Sequence, residues 1–151
     1  MTYSHNVSSA DTDRDDLHRK VAPTAAAVLL ASSALTVYSA HDLTEIVVVI
    51  ALIAATVAGV YGFLLPRALK KQSAGGMALT FSAIAAALLV PAFWAGLPLV
   101  LGVAGAMLGY AGRSARSGAG TSVAAFVLGL LASIGYFAIY VLDTLAQHGI
   151  G

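Results

Sequence analysis

The sequence predicts an all-α, polytopic integral membrane protein: a single helical bundle of five transmembrane helices, N-terminus in and C-terminus out. Three observations predict it. Charged residues make up only 10% of the chain, with a mean hydropathy of +0.87, whereas a soluble domain carries about 25% charge to face water. The charges gather in short clusters between long apolar runs, the pattern of a chain that crosses a bilayer repeatedly. With five passes, Arg14, Arg19, Lys20, Arg67, Lys70, Lys71, Arg113 and Arg116 all fall on one side. Lys/Arg bias in short loops sets orientation, so that side is cytoplasmic. The other side then holds Asp42, Glu45 and Asp143 as its charged groups.

Residues 1–20 are polar and acid-rich and cannot build a core, so they read as a disordered cytoplasmic tail. An apolar stretch that begins this late argues for a retained helix rather than a cleaved leader. His5 and His18 read as solvated side chains. The first span covers 21–39, with Lys20 at the inner boundary. Pro23 is placed in the first turn, where its missing N–H does no harm. Ser32, Ser33 and Thr36 can bond back to carbonyls of their own helix, and Tyr38 suits the far interface.

A turn over 40–44 follows. Asp42 and Glu45 have the spacing of a capping box, with Asp in place of Ser or Thr, and both suit the positive end of the next helix. The second span, 44–65, is uncharged after Glu45 and ends at Pro66. Ala51, Ala55 and Gly59 recur at four-residue spacing, a smooth stripe for another helix. Arg67, Lys70 and Lys71 then meet anionic head groups.

The third span covers 76–93, with Ala78, Ser82 and Ala86 as its small-residue stripe, a kink at Pro91, and Phe93 and Trp94 at the interface. Gly96 and Pro98 make the next turn. The fourth span, 97–112, is about 24 Å long at 1.5 Å per residue, short of a core of about 30 Å. Gly105 and Gly109 form a GxxxG pair beside Gly102 and Ala106, and Gly112 fits a C-terminal cap. The fifth span, 121–145, continues with Ala125, Gly129 and Ser133. Tyr136, Tyr140 and Asp143 share one face by their i, i+4, i+7 spacing. They read as an interfacial aromatic belt with a terminal acid, in preference to a polar groove between helices. Residues 146–151 form a short C-terminal tail.

Composition also excludes functions. Without cysteine there is no disulfide and no thiolate chemistry. No basic patch interleaves with aromatics, so nucleic acid is not a partner. No Asp, Glu, Lys, Arg or His falls mid-span, where ion-coupled transporters and voltage sensors need one. Gly96 and Gly102 lack the lysine and the strand–turn–helix setting of a phosphate-binding loop. One constellation has ligand chemistry: His41, Asp42 and Glu45 at the first outer turn, with Asp143 and His148 at the end of the last helix. Imidazole and carboxylate suit a divalent metal such as Zn²⁺. Against this stand the capping role of Asp42 and Glu45 and the terminal position of His148, so no catalytic residue, metal or cofactor is assigned.

From Gly75 to Leu145 the order of features carries a resemblance. An apolar span breaks at Phe93-Trp94-Ala95-Gly96-Leu97-Pro98, and a glycine-rich run from Leu101 to Gly109 leads to a basic loop. A second glycine-bearing helix, Ala124 to Leu131, follows. This resembles a widespread glycine-rich bacterial and actinobacterial small membrane domain of unknown function, and implies a multi-pass protein of the bacterial inner membrane with no chemistry to carry over. The expected role is a non-enzymatic accessory or structural membrane protein that acts through helix–helix contacts. Its partners are the lipid bilayer and, along the small-residue stripes, a second copy or another membrane protein. A passive pore or transporter for a weakly polar or lipid-like solute is the alternative, and an outer-face membrane enzyme or metal-binding protein the third.

Overall fold

A computed structural model describes residues 9–39, 42–70, 74–92, 95–113 and 118–147, all in helices or the turns between them, with no strand among them. The elements are α1 (Ser9–Ser39), α2 (Leu43–Val57), a π-helical segment (Ala58–Leu64), α3 (Leu65–Lys70), α4 (Ala74–Leu88), α5 (Leu97–Gly112) and α6 (Ala119–Gln147). Three helices are long and apolar enough to cross a membrane, over Asp15–Tyr38, Leu43–Leu69 and Ala119–Asp143; the apolar helices Gly75–Leu88 and Leu97–Gly112 are shorter. The exterior is apolar: Val47, Val48, Leu131 and Ile134 are all more than half exposed. A surface of that kind marks contact with lipid or protein rather than with water.

Several boundaries differ from those the sequence suggests, and proline chemistry explains most of them. The first helix starts at Ser9, so Pro23 lies inside it rather than in its first turn. The carbonyl that Pro23 leaves without a donor is that of Arg19, at the polar end of the apolar stretch, where water can satisfy it. Pro66 does not end the second helix. The chain runs on as α3 to Lys70, because the turns ahead of the proline widen into π geometry. Leu65 N–H donates to the Val60 carbonyl, five residues back, and the wider turn takes the proline ring without breaking the helix. The third helix ends at Leu88, before Pro91 rather than beyond it. A residue before proline is pushed out of the α region, so Val90 cannot continue the helix.

Helix α5 is the hub, packing against α4 and α6 most extensively and also touching α1, α2, α3 and the π segment. Ten of its sixteen residues are buried. Glycine makes this possible. A Cβ on Gly102 would lie 2.7 Å from Ser133 Oγ, one on Gly129 2.5 Å from the Gly102 carbonyl, and one on Gly109 2.5 Å from Phe126 N. Real Cβ atoms do not approach that closely, so only bare backbone lets these helices meet. Gly112 belongs to the same set. It is not a left-handed cap, and a Cβ there would run into Ser122 Oγ. Two hydroxyls tie the helices across: Ser82 Oγ donates to the Ala125 carbonyl at 2.7 Å, and Tyr61 Oη to the Val100 carbonyl at 3.2 Å.

The turn between α4 and α5 stops short of one end of the bundle. Gly96, at φ 67°, is wedged between α1 and α2, where a Cβ would lie 3.0 Å from Ser32 Cβ and 3.2 Å from Ile53 Cδ1. Ser32 is six residues before Tyr38 and Ile53 ten after Leu43, so the turn sits roughly 9–15 Å inside those helix ends. On α6, Gly135 meets Leu89, and Asp143 is eight residues further on, about 12 Å. Three N–H groups of the turn are satisfied locally: Leu89 N–H donates to the Ala86 carbonyl, Ala92 N–H to Leu88 and Ala95 N–H to Ala92. Unsatisfied backbone is what an apolar environment punishes most.

Candidate functional site

At the opposite end, Gly75, Gly112 and Ser122 converge, which brings the start of α4, the end of α5 and the start of α6 together. Arg113 follows α5 there, and Arg67 lies one turn before the end of α3. The Arg67 guanidinium lies 3.3 Å above the Phe63 ring and that of Arg113 3.5 Å above Tyr110. Each aromatic is one turn earlier on its own helix, so apolar ring and charged head lie along one line, as at a boundary between lipid and water.

The acidic end lies beyond the α4–α5 turn. Of the five candidate ligands, Asp42, Glu45 and Asp143 are exposed there, while His41 and His148 lie outside the described residues. No group of three or more His, Asp or Glu positioned to hold a metal occurs among the described residues. Asp42 is the N-cap of α2, with extended backbone at φ −141°, and its carbonyl accepts Ile46 N–H at 3.1 Å. Its carboxylate makes no capping hydrogen bond, so the capping position is right and the box is not closed. Charge at the helix's positive end is what Asp42 and Glu45 contribute.

Tyr136 and Tyr140 do not form an interfacial belt. Tyr136 is fully buried and Tyr140 is 5% exposed; their rings stack at 5.1 Å, tilted by 59°. Both face inward because α6 continues past the α4–α5 turn and their face overlooks it. Above the turn a groove of about 280 Å³ opens between α1 and α6, lined by Leu35, Tyr38, Tyr140, Val141 and Leu145. A groove at Tyr140 was the second reading of the sequence, but as a polar one; its apolar lining and the pairing of α1 with α6 were not legible, since the two helices are remote in the chain. Beneath Leu35, Thr36 Oγ1 donates to the Ser32 carbonyl at 2.9 Å, whereas the buried Ser32 Oγ has no hydrogen-bond partner.

The small-residue stripes divide into two kinds. Ala78, Ser82, Ala125, Gly129 and Ser133 are buried within the bundle, as are Gly102, Gly105 and Gly109. The stripe of α2 faces outward: Ala51, Ala55 and Gly59 are exposed, and nothing lies within 4 Å of a Cβ built on Gly59. Phe93 and Trp94 lie outside the described residues. No protein-family model, curated protein or solved structure matches the chain.

Proposed function

We propose that this is a non-enzymatic integral protein of a cell membrane, multi-pass and N-terminus in, which uses the outward face of α2 to bind another membrane helix. The observation that carries this reading is the exposed Ala51–Ala55–Gly59 stripe. Its counterparts Ala78 and Ser82 on α4, Gly102, Gly105 and Gly109 on α5, and Ala125, Gly129 and Ser133 on α6 are covered within the chain, whereas this one faces outward. Lipid tails gain nothing from small residues, but a second helix does, because backbones can approach closely. The mate is a second copy or a different membrane protein. In the bilayer α1, the continuous α2–α3 helix and α6 cross completely. The α4–α5 hairpin enters from the basic side and turns back before reaching the acidic side. A bacterial inner membrane is what the glycine-rich resemblance implies, and the apolar exterior and segregated charges support membrane insertion.

The natural sequence has no cysteine, so single-cysteine variants report cleanly. Ala55→Cys labelled with benzophenone-4-maleimide in native membranes is expected, on irradiation, to give an adduct with a discrete partner through insertion into a partner C–H bond, absent when Gly59→Leu is added. Leu131→Cys, on the apolar face of α6, is expected to give none. Adducts of equal yield from both positions, or none from Ala55→Cys, refute the reading.

A further inference from the structure

We propose that the first turn of α5 binds a monoatomic anion of halide size, held by the Ser32 hydroxyl and the N–H groups of Leu97 and Leu99. Two independent observations converge on this point. The first is the start of the helix. Its N-cap, Gly96, has no side chain to cap it. Pro98 brings no N–H, and Val100 N–H makes the first helical bond, to the Gly96 carbonyl at 3.3 Å. The N–H groups of Leu97 and Leu99 therefore precede any carbonyl of their own helix. They point back along the axis toward the acidic side, at the positive end of the helix dipole. The second observation is Ser32 on α1. Its Oγ is fully buried and has no hydrogen-bond partner. It would lie 3.3 Å from a Cβ on Gly96, so it faces the start of α5. Thr36, one turn on, bonds back to its own helix, and the buried Ser82 and Ser133 hydroxyls bond to carbonyls. Ser32 makes no such bond.

The donor set selects the ligand. Two N–H groups and a hydroxyl all donate, so the ligand accepts, and beside a positive helix end negative charge gains most. The low dielectric at this depth strengthens each of these bonds. Size excludes oxyanions. Ser32 Cβ and Ile53 Cδ1 would lie 3.0 and 3.2 Å from a Cβ on Gly96, which leaves no space for phosphate or sulfate. The open side is the groove past Leu35, three residues after Ser32 and on the same helix face. Glu45 and Asp143 are exposed at the acidic end, each about 12 Å further out than the turn. That exceeds the Debye length of about 8 Å at physiological salt, so they oppose the ion little. Lys20 is twelve residues before Ser32 and Arg67 fourteen after Ile53. With no cation at this depth the site is weak, and the ion exchanges rapidly.

The test uses the full chain in nanodiscs of zwitterionic lipid, with chloride as probe and the chlorine NMR linewidth as readout. Gluconate, too large for the site, holds ionic strength constant, and empty nanodiscs supply the baseline. Excess broadening that saturates with chloride and is displaced by iodide is expected. A hydrogen bond to a charged ligand is worth a factor of about ten or more in affinity. Ser32→Ala is therefore expected to weaken binding at least about tenfold, with the helical spectrum unchanged. Ser33→Ala, its neighbour on α1, is expected to leave binding within about twofold. The paired change Arg67→Gln and Arg113→Gln, at the opposite end of the bundle, is expected to do the same. A linewidth without a saturable excess, full binding by Ser32→Ala, or loss of binding in the arginine variant overturns the proposal. None of these outcomes bears on the outward face of α2, which takes no part in the site.

Discussion

A methyl group at position 129 is expected to destabilise the bundle, while the same methyl at position 76 stabilises it. Gly129 Cβ would lie 2.5 Å from the Gly102 carbonyl and 2.7 Å from Ala106 N, and ordinary contact begins at 3.4 Å. Helices α5 and α6 must therefore separate locally by about 0.9 Å. Both clashing atoms are backbone, so no side chain can swing aside. Overpacking of this kind costs about 1–3 kcal/mol, against a gain of about 0.5–1 kcal/mol for replacing glycine in a helix. The net expectation for Gly129→Ala is a loss of about 1–2 kcal/mol. Gly76 is exposed in the first turns of α4 with nothing within 4 Å of its Cβ, so Gly76→Ala keeps only the gain. Reversible unfolding in mixed micelles, followed by far-UV circular dichroism, measures both. If Gly129→Ala matches or exceeds Gly76→Ala in stability, the helices do not meet through bare backbone and the packing described for α5 is wrong.

Two further substitutions probe the contacts around α5 in the same assay. Tyr61→Phe removes the 3.2 Å bond to the Val100 carbonyl and is expected to cost about 0.6 kcal/mol, and at most about 1.7, as for interhelical bonds in membrane bundles; no loss would mean that the π segment does not anchor α5. Gly96→Ala forces a side chain into a left-handed conformation worth about 1–2 kcal/mol. It also presses on Ser32 and Ile53, so its cost is expected to exceed that of Tyr61→Phe. The reverse order would place Gly96 outside the α1–α2 wedge.

The helical class and all five apolar stretches were legible because apolar length and charge clustering are one-dimensional signals. The helix ends were less legible wherever proline intervened. A rule that stops a helix at proline misreads Pro66, since it cannot foresee that the preceding turns will widen. It also misplaces Pro23, because the polar residues before it look like tail although they are helical. GxxxG spacing likewise identified surfaces of close approach without saying what approaches. On α5 it is another part of the same chain, and on α2 the stripe stays open. Tyr136 and Tyr140 were misread for a three-dimensional reason. An aromatic at a helix end looks interfacial until the neighbouring hairpin proves too short to reach it, and then the same residue faces an interior gap.

That shortness also bears on the charge argument for five crossings. Five full passes and three passes with an inserted α4–α5 hairpin leave every Lys and Arg on one side and both termini on opposite sides. Segregation of charge is therefore equally strong evidence for either, and reporters fused after Lys71, Arg116 and Gly151 return the same pattern for both. Depth separates them. Val90, in the α4–α5 turn, and Leu43, at the start of α2, are each 77% exposed, so a nitroxide attached at either position disturbs no packing. With the turn roughly 9–15 Å inside the helix ends, a label at Val90 is expected to be relaxed more by oxygen than by a water-soluble nickel chelate. A label at Leu43 is expected to show the opposite preference. Equal nickel accessibility at the two positions would put the turn at the membrane surface, and the hairpin would then be a pair of true crossings in a locally thinned bilayer.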